Sequence, residues 1–115
     1  MAIVDQIVLF KFPQTDLTIG KLRPALLIKP LDNGYDDWLA CMISTKTGQE
    51  VTGLDEIISP NDRDFKQTGL KSESVIRVSR LAVVSEKILL GKTGEISAER
   101  LERIKRNLAN WILSN

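Results

Sequence analysis

The stretch Lys21-Leu22-Arg23-Pro24-Ala25-Leu26-Leu27-Ile28 decides how the rest of this 115-residue chain is read. Its second half is an unbroken aliphatic run, the pattern of a buried strand, and Pro24 is tolerated at a strand's first position because no ladder donor is needed there. The second strand is therefore expected to start immediately beside Arg23. Upstream, Gln6 to Phe12 sets Val8, Phe10 and Phe12 against Ile7, Leu9 and Lys11, and its β-branched and aromatic content predicts a first strand that Pro13 ends. Between the two, Gln14 to Gly20 has turn formers at both ends and no period, so it reads as a loop. One fixed cation thus stands at a strand mouth beside a loop. A guanidinium is planar, permanently charged and carries five donors, which suits a phosphate oxyanion.

Downstream, Asn33-Gly34 is a hairpin signal, with Asp36-Asp37 as solvated turn residues, and Trp38 to Ser44 supplies a third strand returning antiparallel to the second. Polar Lys46 to Gln49 closes it. Ile57-Ile58 predicts a short edge strand ended by Ser59-Pro60, and Thr68-Gly69-Leu70 predicts a turn. Ser74 to Val78 and Leu81 to Val84 read as two further strands separated by Ser79-Arg80. Five or six short strands at this spacing predict a small barrel. The period then changes: Leu101, Ile104, Leu108, Trp111 and Ile112 recur every three or four residues, predicting an amphipathic helix over Ala98 to Leu113. Ser97 suits its N-cap, Glu99 the positive end of its dipole, and Ile96 with Leu101 a hydrophobic staple. Trp111, on the apolar stripe, is expected in the core or a subunit interface.

Composition narrows the chemistry. With 43% apolar residues, 1–115 reads as a single domain, and a net charge of +1 excludes a protein held on nucleic acid by bulk electrostatics. The one cysteine, Cys41, lies in Trp38-Leu39-Ala40-Cys41-Met42-Ile43 and reads as a core thiol, with no disulfide within the chain. There is no signal-peptide pattern and no apolar run near 18 residues, so a soluble cytoplasmic protein is expected. The absence of histidine, with one cysteine, excludes zinc sites and both Ser-His and Cys-His nucleophile pairs. An oxygen-ligated Mg²⁺ remains formally possible, but no carboxylate cluster argues for it, and no cofactor or metal is expected.

Asp5-Gln6-Ile7-Val8-Leu9-Phe10, Phe12-Pro13-Gln14-Thr15-Asp16, the Lys21 to Ile28 stretch and Ile43-Ser44-Thr45-Lys46 together resemble the MazF/PemK family of toxin endoribonucleases. Asp64-Phe65, Thr68-Gly69-Leu70-Lys71, Ser74-Val75-Ile76-Arg77 and the terminal helix extend the resemblance over nearly the whole chain. It implies a mainly β (α+β) fold, a small SH3-like β-barrel of five to seven strands with a C-terminal helix. It also implies a homodimer, metal-independent and sequence-specific cleavage of single-stranded RNA that inhibits growth, and an acidic antitoxin as partner. The family's K-x-R-P arginine and the residue ending its I-T/S motif map to Arg23 and Ser44 as the cleavage centre.

Two departures stand out. The family often begins with Gly-Asp where this chain has Asp5-Gln6. Some PemK-type members carry an Arg-x-Asp acid and base pair on a later strand, whereas Arg77-Val78-Ser79 keeps the arginine without the carboxylate.

Cleavage of this kind needs the ribose 2′-hydroxyl to attack its own phosphate, giving a 2′,3′-cyclic phosphate and a free 5′-hydroxyl. Arg23 would stabilise the dianionic phosphorane and protonate the leaving oxygen, and Ser44 would donate a further hydrogen bond. The base is open, with Asp16 in the loop as one candidate. Thr45 and Arg77 are further catalytic or RNA-binding candidates, and Lys21, Lys46 and Arg80 candidate phosphate contacts. Alone, Arg23 also reads as a rim cation or an ion-pair partner, Arg77 and Arg80 as flanks of a solvated strand, and Ser44-Thr45 as a strand end. A competing function is a catalytically inactive SH3-like interaction module or a gyrase-directed toxin of the same fold, favoured by Ser79.

Overall fold

Apolar residues alternate to both faces of the central strands, and both faces are buried. The computed structural model describes residues 3–12 and 21–115, with extents of 31 × 30 × 30 Å. Strands β1 (Gln6–Phe12), β2 (Lys21–Pro30), β3 (Asp37–Ser44), β4 (Glu56–Ile58), β5 (Ser74–Ser85) and β6 (Gly91–Glu95) form one antiparallel sheet in the order β4-β5-β3-β2-β1-β6. It curls into a half-barrel, with a short helix α1 (Phe65–Thr68) and the terminal helix α2 (Ala98–Leu113). One face packs Ile7, Leu26, Ile28, Cys41, Ile43, Ile76 and Val78 beneath Leu101, Ile104 and Leu108 of α2. The other face gathers Val8, Phe10, Ala25, Leu27, Trp38, Ala40 and Val84, with Met42, Ala82 and Leu89 against them.

Register shifts bend three ladders: at Ile7/Val8 between β1 and β6, at Leu27/Lys29 between β2 and β3, and at Cys41/Met42 between β3 and β5. Extra residues on one strand increase its local twist, which is how a short sheet curls. Helix α2 begins and ends where its sequence predicts. Ser97 Oγ accepts from Arg100 N at 3.1 Å, Glu99 lies in the first turn, and Ile96 and Leu101 are both buried.

Several expectations change. Arg23 lies inside β2, opposite Phe10, because the β1 ladder runs on to Lys21. Pro24 pairs with Leu9, while the β3 ladder begins only at Ala25, so one side of β2 is unpaired where the proline sits. The two strands expected around Ser79-Arg80 are one twelve-residue strand, β5. Asp37 opens β3 rather than standing in the turn, whereas Asp36 keeps the turn with φ 57°.

Strand β6 and helix α1 have no counterpart in the sequence reading. Gly69 caps α1 in the left-handed conformation (φ 74°), and α1 lies so close to β6 that a Cβ on Gly94 would overlap the Gln67 carbonyl oxygen. Trp111 and Ile112 are 52% and 63% exposed, so the end of α2 is not part of this chain's core.

Candidate functional site

Pairing fixes which side chains can meet. The β2–β3 ladder stops at Ala25↔Met42, and two residues beyond it on each strand stand Arg23 and Ser44. Both residues line one cavity of about 210 Å³ at the end of the sheet where β2 enters and β3 leaves. Thr45, Lys46 and Lys71 line it too, over an apolar wall of Leu22, Pro24, Ile43 and Leu70. The structure therefore brings together Arg23, Ser44, Thr45 and Lys46 of the expected site residues. Lys71, with Ser72 and Ser74, joins them from the segment after α1. In the sequence Lys71 stood out only as part of the Thr68-Gly69-Leu70-Lys71 resemblance and not as a site residue.

Arg23 is half-buried, and none of the ion pairs among the described residues includes it. Ser44 Oγ accepts from Lys46 N at 3.1 Å, a local turn that orients the hydroxyl and leaves its proton free to be donated. Thr45 and Lys46 are exposed. Asp16 and the Lys21 side chain lie outside the described residues.

Arg77 and Arg80 do not line this cavity. Met42 pairs with both Ala25 and Arg77, so Arg77 shares the sheet face of Arg23 and Ser44, one row further along and one strand over. Arg80 is exposed in the irregular part of β5. Although residue 79 is Ser, a carboxylate does face Arg77: Asp55 Oδ2 is 3.6 Å from Arg77 Nε. Ser79 itself holds that carboxylate, through its backbone N at 2.8 Å and its Oγ at 2.9 Å. The departure at the N-terminus is likewise absorbed. Asp5 adopts the left-handed conformation (φ 61°), which aspartate tolerates better than most residues, and Gln6 Oε1 accepts from Ile3 N at 3.0 Å.

Elsewhere, burial, followed by the negative charge of Asp55, pushes the Cys41 thiol up to about 12, so it is an inert core group. Among the described residues, no group of three or more Cys, Asp or Glu is arranged to hold a metal ion.

A family model described as PemK-like, MazF-like toxin of type II toxin-antitoxin system matches residues 4–112. The chain belongs to this PemK/MazF-like toxin family. Solved structures agree in fold. The Mycobacterium tuberculosis toxin MazF-mt6 superposes with a TM-score of 0.68 at 14% identity, covering 96% of this chain and 98% of that one. An endoribonuclease in complex with its cognate antitoxin, from a mycobacterial species, gives 0.67 at 14% identity over 100% and 99% of the two chains. A further mycobacterial endoribonuclease gives 0.64 at 14% identity over 97% and 92%. No curated protein matches significantly. No helix among the described residues of this PemK/MazF-like chain is long and apolar enough to cross a membrane.

Proposed function

We propose that this PemK/MazF-like toxin is a metal-independent, sequence-specific endoribonuclease that cuts single-stranded mRNA in the cytoplasm and so arrests growth. The observation that carries the reading is the convergence of Arg23 and Ser44 on one cavity, with no carboxylate pairing Arg23 among the described residues. A half-buried cation with no counter-ion among the described residues favours an anionic ligand, and a phosphodiester supplies one. In the reaction, the bond from the 2′-oxygen to phosphorus forms and the bond from phosphorus to the 5′-oxygen breaks. The 2′-hydroxyl proton leaves to a base, and the 5′-oxygen gains a proton from Arg23. The guanidinium and the Ser44 hydroxyl stabilise the charge that builds on the phosphorane oxygens. Lys46 and Lys71 on the rim, with Thr45, supply contacts to flanking nucleotides, and Arg77 continues the cationic path over the same sheet face. The partners are a second copy of the chain and an acidic antitoxin whose disordered segment folds onto the RNA path.

The gyrase-directed or non-catalytic alternative draws its support from the missing carboxylate at residue 79; Asp55 gives Arg77 a carboxylate neighbour, though its side chain has no solvent exposure. Incubation of purified protein with a long single-stranded RNA in excess EDTA is expected to give fragments with 5′-hydroxyl and 2′,3′-cyclic phosphate ends. Arg23→Ala is expected to slow cutting about 10²- to 10³-fold with an unchanged melting curve. Intact RNA, or cutting that requires Mg²⁺, refutes the proposal.

A further inference from the structure

Asp55 immediately precedes β4, and its side chain has no solvent exposure. Its carboxylate accepts three hydrogen bonds: from Val51 N at 2.9 Å, Ser79 N at 2.8 Å and Ser79 Oγ at 2.9 Å. These bonds pin an irregularity in β5. The β3 ladder runs from Cys41↔Leu81 directly to Met42↔Arg77, so Val78, Ser79 and Arg80 have no partners across it. A bulge of this kind redirects the neighbouring side chain, here Arg77. The Arg77 side chain is 13% exposed, and its buried Nε lies 3.6 Å from Asp55 Oδ2 and makes no hydrogen bond among the described residues.

Pinning alone does not explain this arrangement. Three neutral donors already hold Asp55, and a cation that served only the bulge would be expected to close the remaining hydrogen bond. A loose pair with an open side is the geometry of a group that tightens when its ligand arrives. Resting on the RNA-cleaving reading of this sheet face, we infer that Asp55 is the positioning residue for Arg77. It holds the Nε side of the guanidinium from inside the fold and turns the terminal nitrogens toward an RNA phosphate. It thereby supplies from the β4 side a carboxylate that orients Arg77, but not the base that a carboxylate at residue 79 would be. Being fully buried, Asp55 does not itself touch RNA.

The test compares wild type, Asp55→Asn and the double variant Asp55→Asn/Ser79→Asp. Cleavage of single-stranded RNA is measured alongside binding of the same oligonucleotide carrying 2′-deoxy sugars. Asp55→Asn is expected to lower kcat about 10²-fold, the scale of an ångström-level misplacement, with little change in the affinity for the uncleavable copy. The double variant is expected to recover most of the rate, although it does not restore the bond to Val51 N. Full activity in Asp55→Asn overturns the inference, and so does a loss that Ser79→Asp fails to recover. Should Asp55→Asn not fold, the wild type carries the test. Its Arg77 Nε–Hε NMR signal, assigned by its disappearance in Arg77→Lys, must move when the 2′-deoxy copy is titrated in, and a stationary signal overturns the inference. Wild type that neither binds nor cuts RNA refutes both this inference and the ribonuclease reading, whereas active wild type with an indifferent Asp55→Asn refutes this inference alone.

Discussion

Arg100→Met is the sharpest test of how α2 is held on the sheet. The Arg100 guanidinium donates to Asp64 through Nε at 2.8 Å and Nη2 at 3.1 Å, to Glu56 through Nη1 at 2.9 Å and to Asp62 through Nη2 at 3.1 Å. The side chains of Arg100, Glu56 and Asp64 are 9%, 11% and 6% exposed, so this is a buried ion network. Methionine keeps the apolar stem and removes the charge. Glu56 retains Arg103, with bonds of 2.9 Å to each carboxylate oxygen, and Asp62 is open enough to hydrate. Asp64 is left with the Ser97 N–H at 3.0 Å as its remaining donor from outside its own residue. Breaking a buried pair on one side costs about 3–5 kcal/mol, and with Glu56 still neutralised the lower end, about 3 kcal/mol, applies. An unfolding entropy of about 2.1 cal/mol/K per residue converts this to a fall in Tm of about 12 °C for a chain of this length.

The pH dependence of that loss follows from Asp64. Burial alone would raise its pKa, but the Arg100 and Ser97 hydrogen bonds and the Arg100 charge outweigh burial and hold it below the usual carboxylate value. A depressed folded pKa stabilises the protein above the unfolded value near 4, and that contribution disappears as pH falls through the folded value. Melting curves followed by circular dichroism should therefore show the full Tm gap between wild type and Arg100→Met at pH 7 and a narrowed gap near pH 3. Adding Asp64→Asn should recover part of the loss at pH 7, because the stranded charge is then gone. A gap under about 4 °C at neutral pH, about 1 kcal/mol on the same scale, would refute the network's role.

Gly94→Ala should cost about 1–3 kcal/mol by driving α1 off β6, read as a lowered Tm, and a neutral result would mean that α1 does not press on that strand. Ser97→Ala removes the N-cap of α2 and should cost about 1 kcal/mol, measured as a shift in urea midpoint at constant slope. Cys41 should resist a disulfide reagent at pH 8 in the native protein and react at the rate of unfolding, and immediate labelling would contradict its burial. Arg23→Lys should leave RNA cleavage well below wild type, because a point charge replaces a planar fork, and equal rates would remove bidentate contact from the proposed chemistry.

What could be seen in the sequence depended on how local the cause was. β1, β3 and α2 are legible because their apolar periods are long and their ends carry Pro13, Ser44-Thr45 and Ser97. β6 is not, since Gly91-Lys92-Thr93-Gly94-Glu95 contains no apolar residue, and its extended state comes from pairing with β1 while α1 packs on Gly94. α1 is four residues long, too short for any period to show. β5 looked like two strands because Ser79-Arg80 has the composition of a turn, and the group that keeps it a strand lies 24 residues away at Asp55. The Arg100 network spans up to 44 residues to Glu56, so on the helix it looks like any solvated arginine. The pair Arg23 and Ser44 was accessible only through the family motifs, since nothing local to either residue links it to the other across the cavity they both line.

The proposed chemistry falls where the sheet is least regular. Arg23 sits one residue before Pro24, on the side of β2 where the ladder to β3 has not yet begun, and Arg77 sits at the break between Met42 and Cys41 in the ladder to β5. A regular ladder offers no freedom to aim a side chain, because each residue's direction is dictated by its pairing. A proline at an unpaired strand entry and a pinned three-residue bulge each release one position from that constraint without exposing backbone groups in the core. Arg23, Ser44 and Arg77 belong neither to the apolar clusters, although Phe10, Ile43, Ile76 and Val78 beside them do, nor to the Arg100 network, so substitutions at these three should change activity far more than stability. The exception is Asp55, which pins the bulge through Val51 and Ser79 as well as facing Arg77, and this is why its test needs a second variant that restores the charge without restoring the pinning.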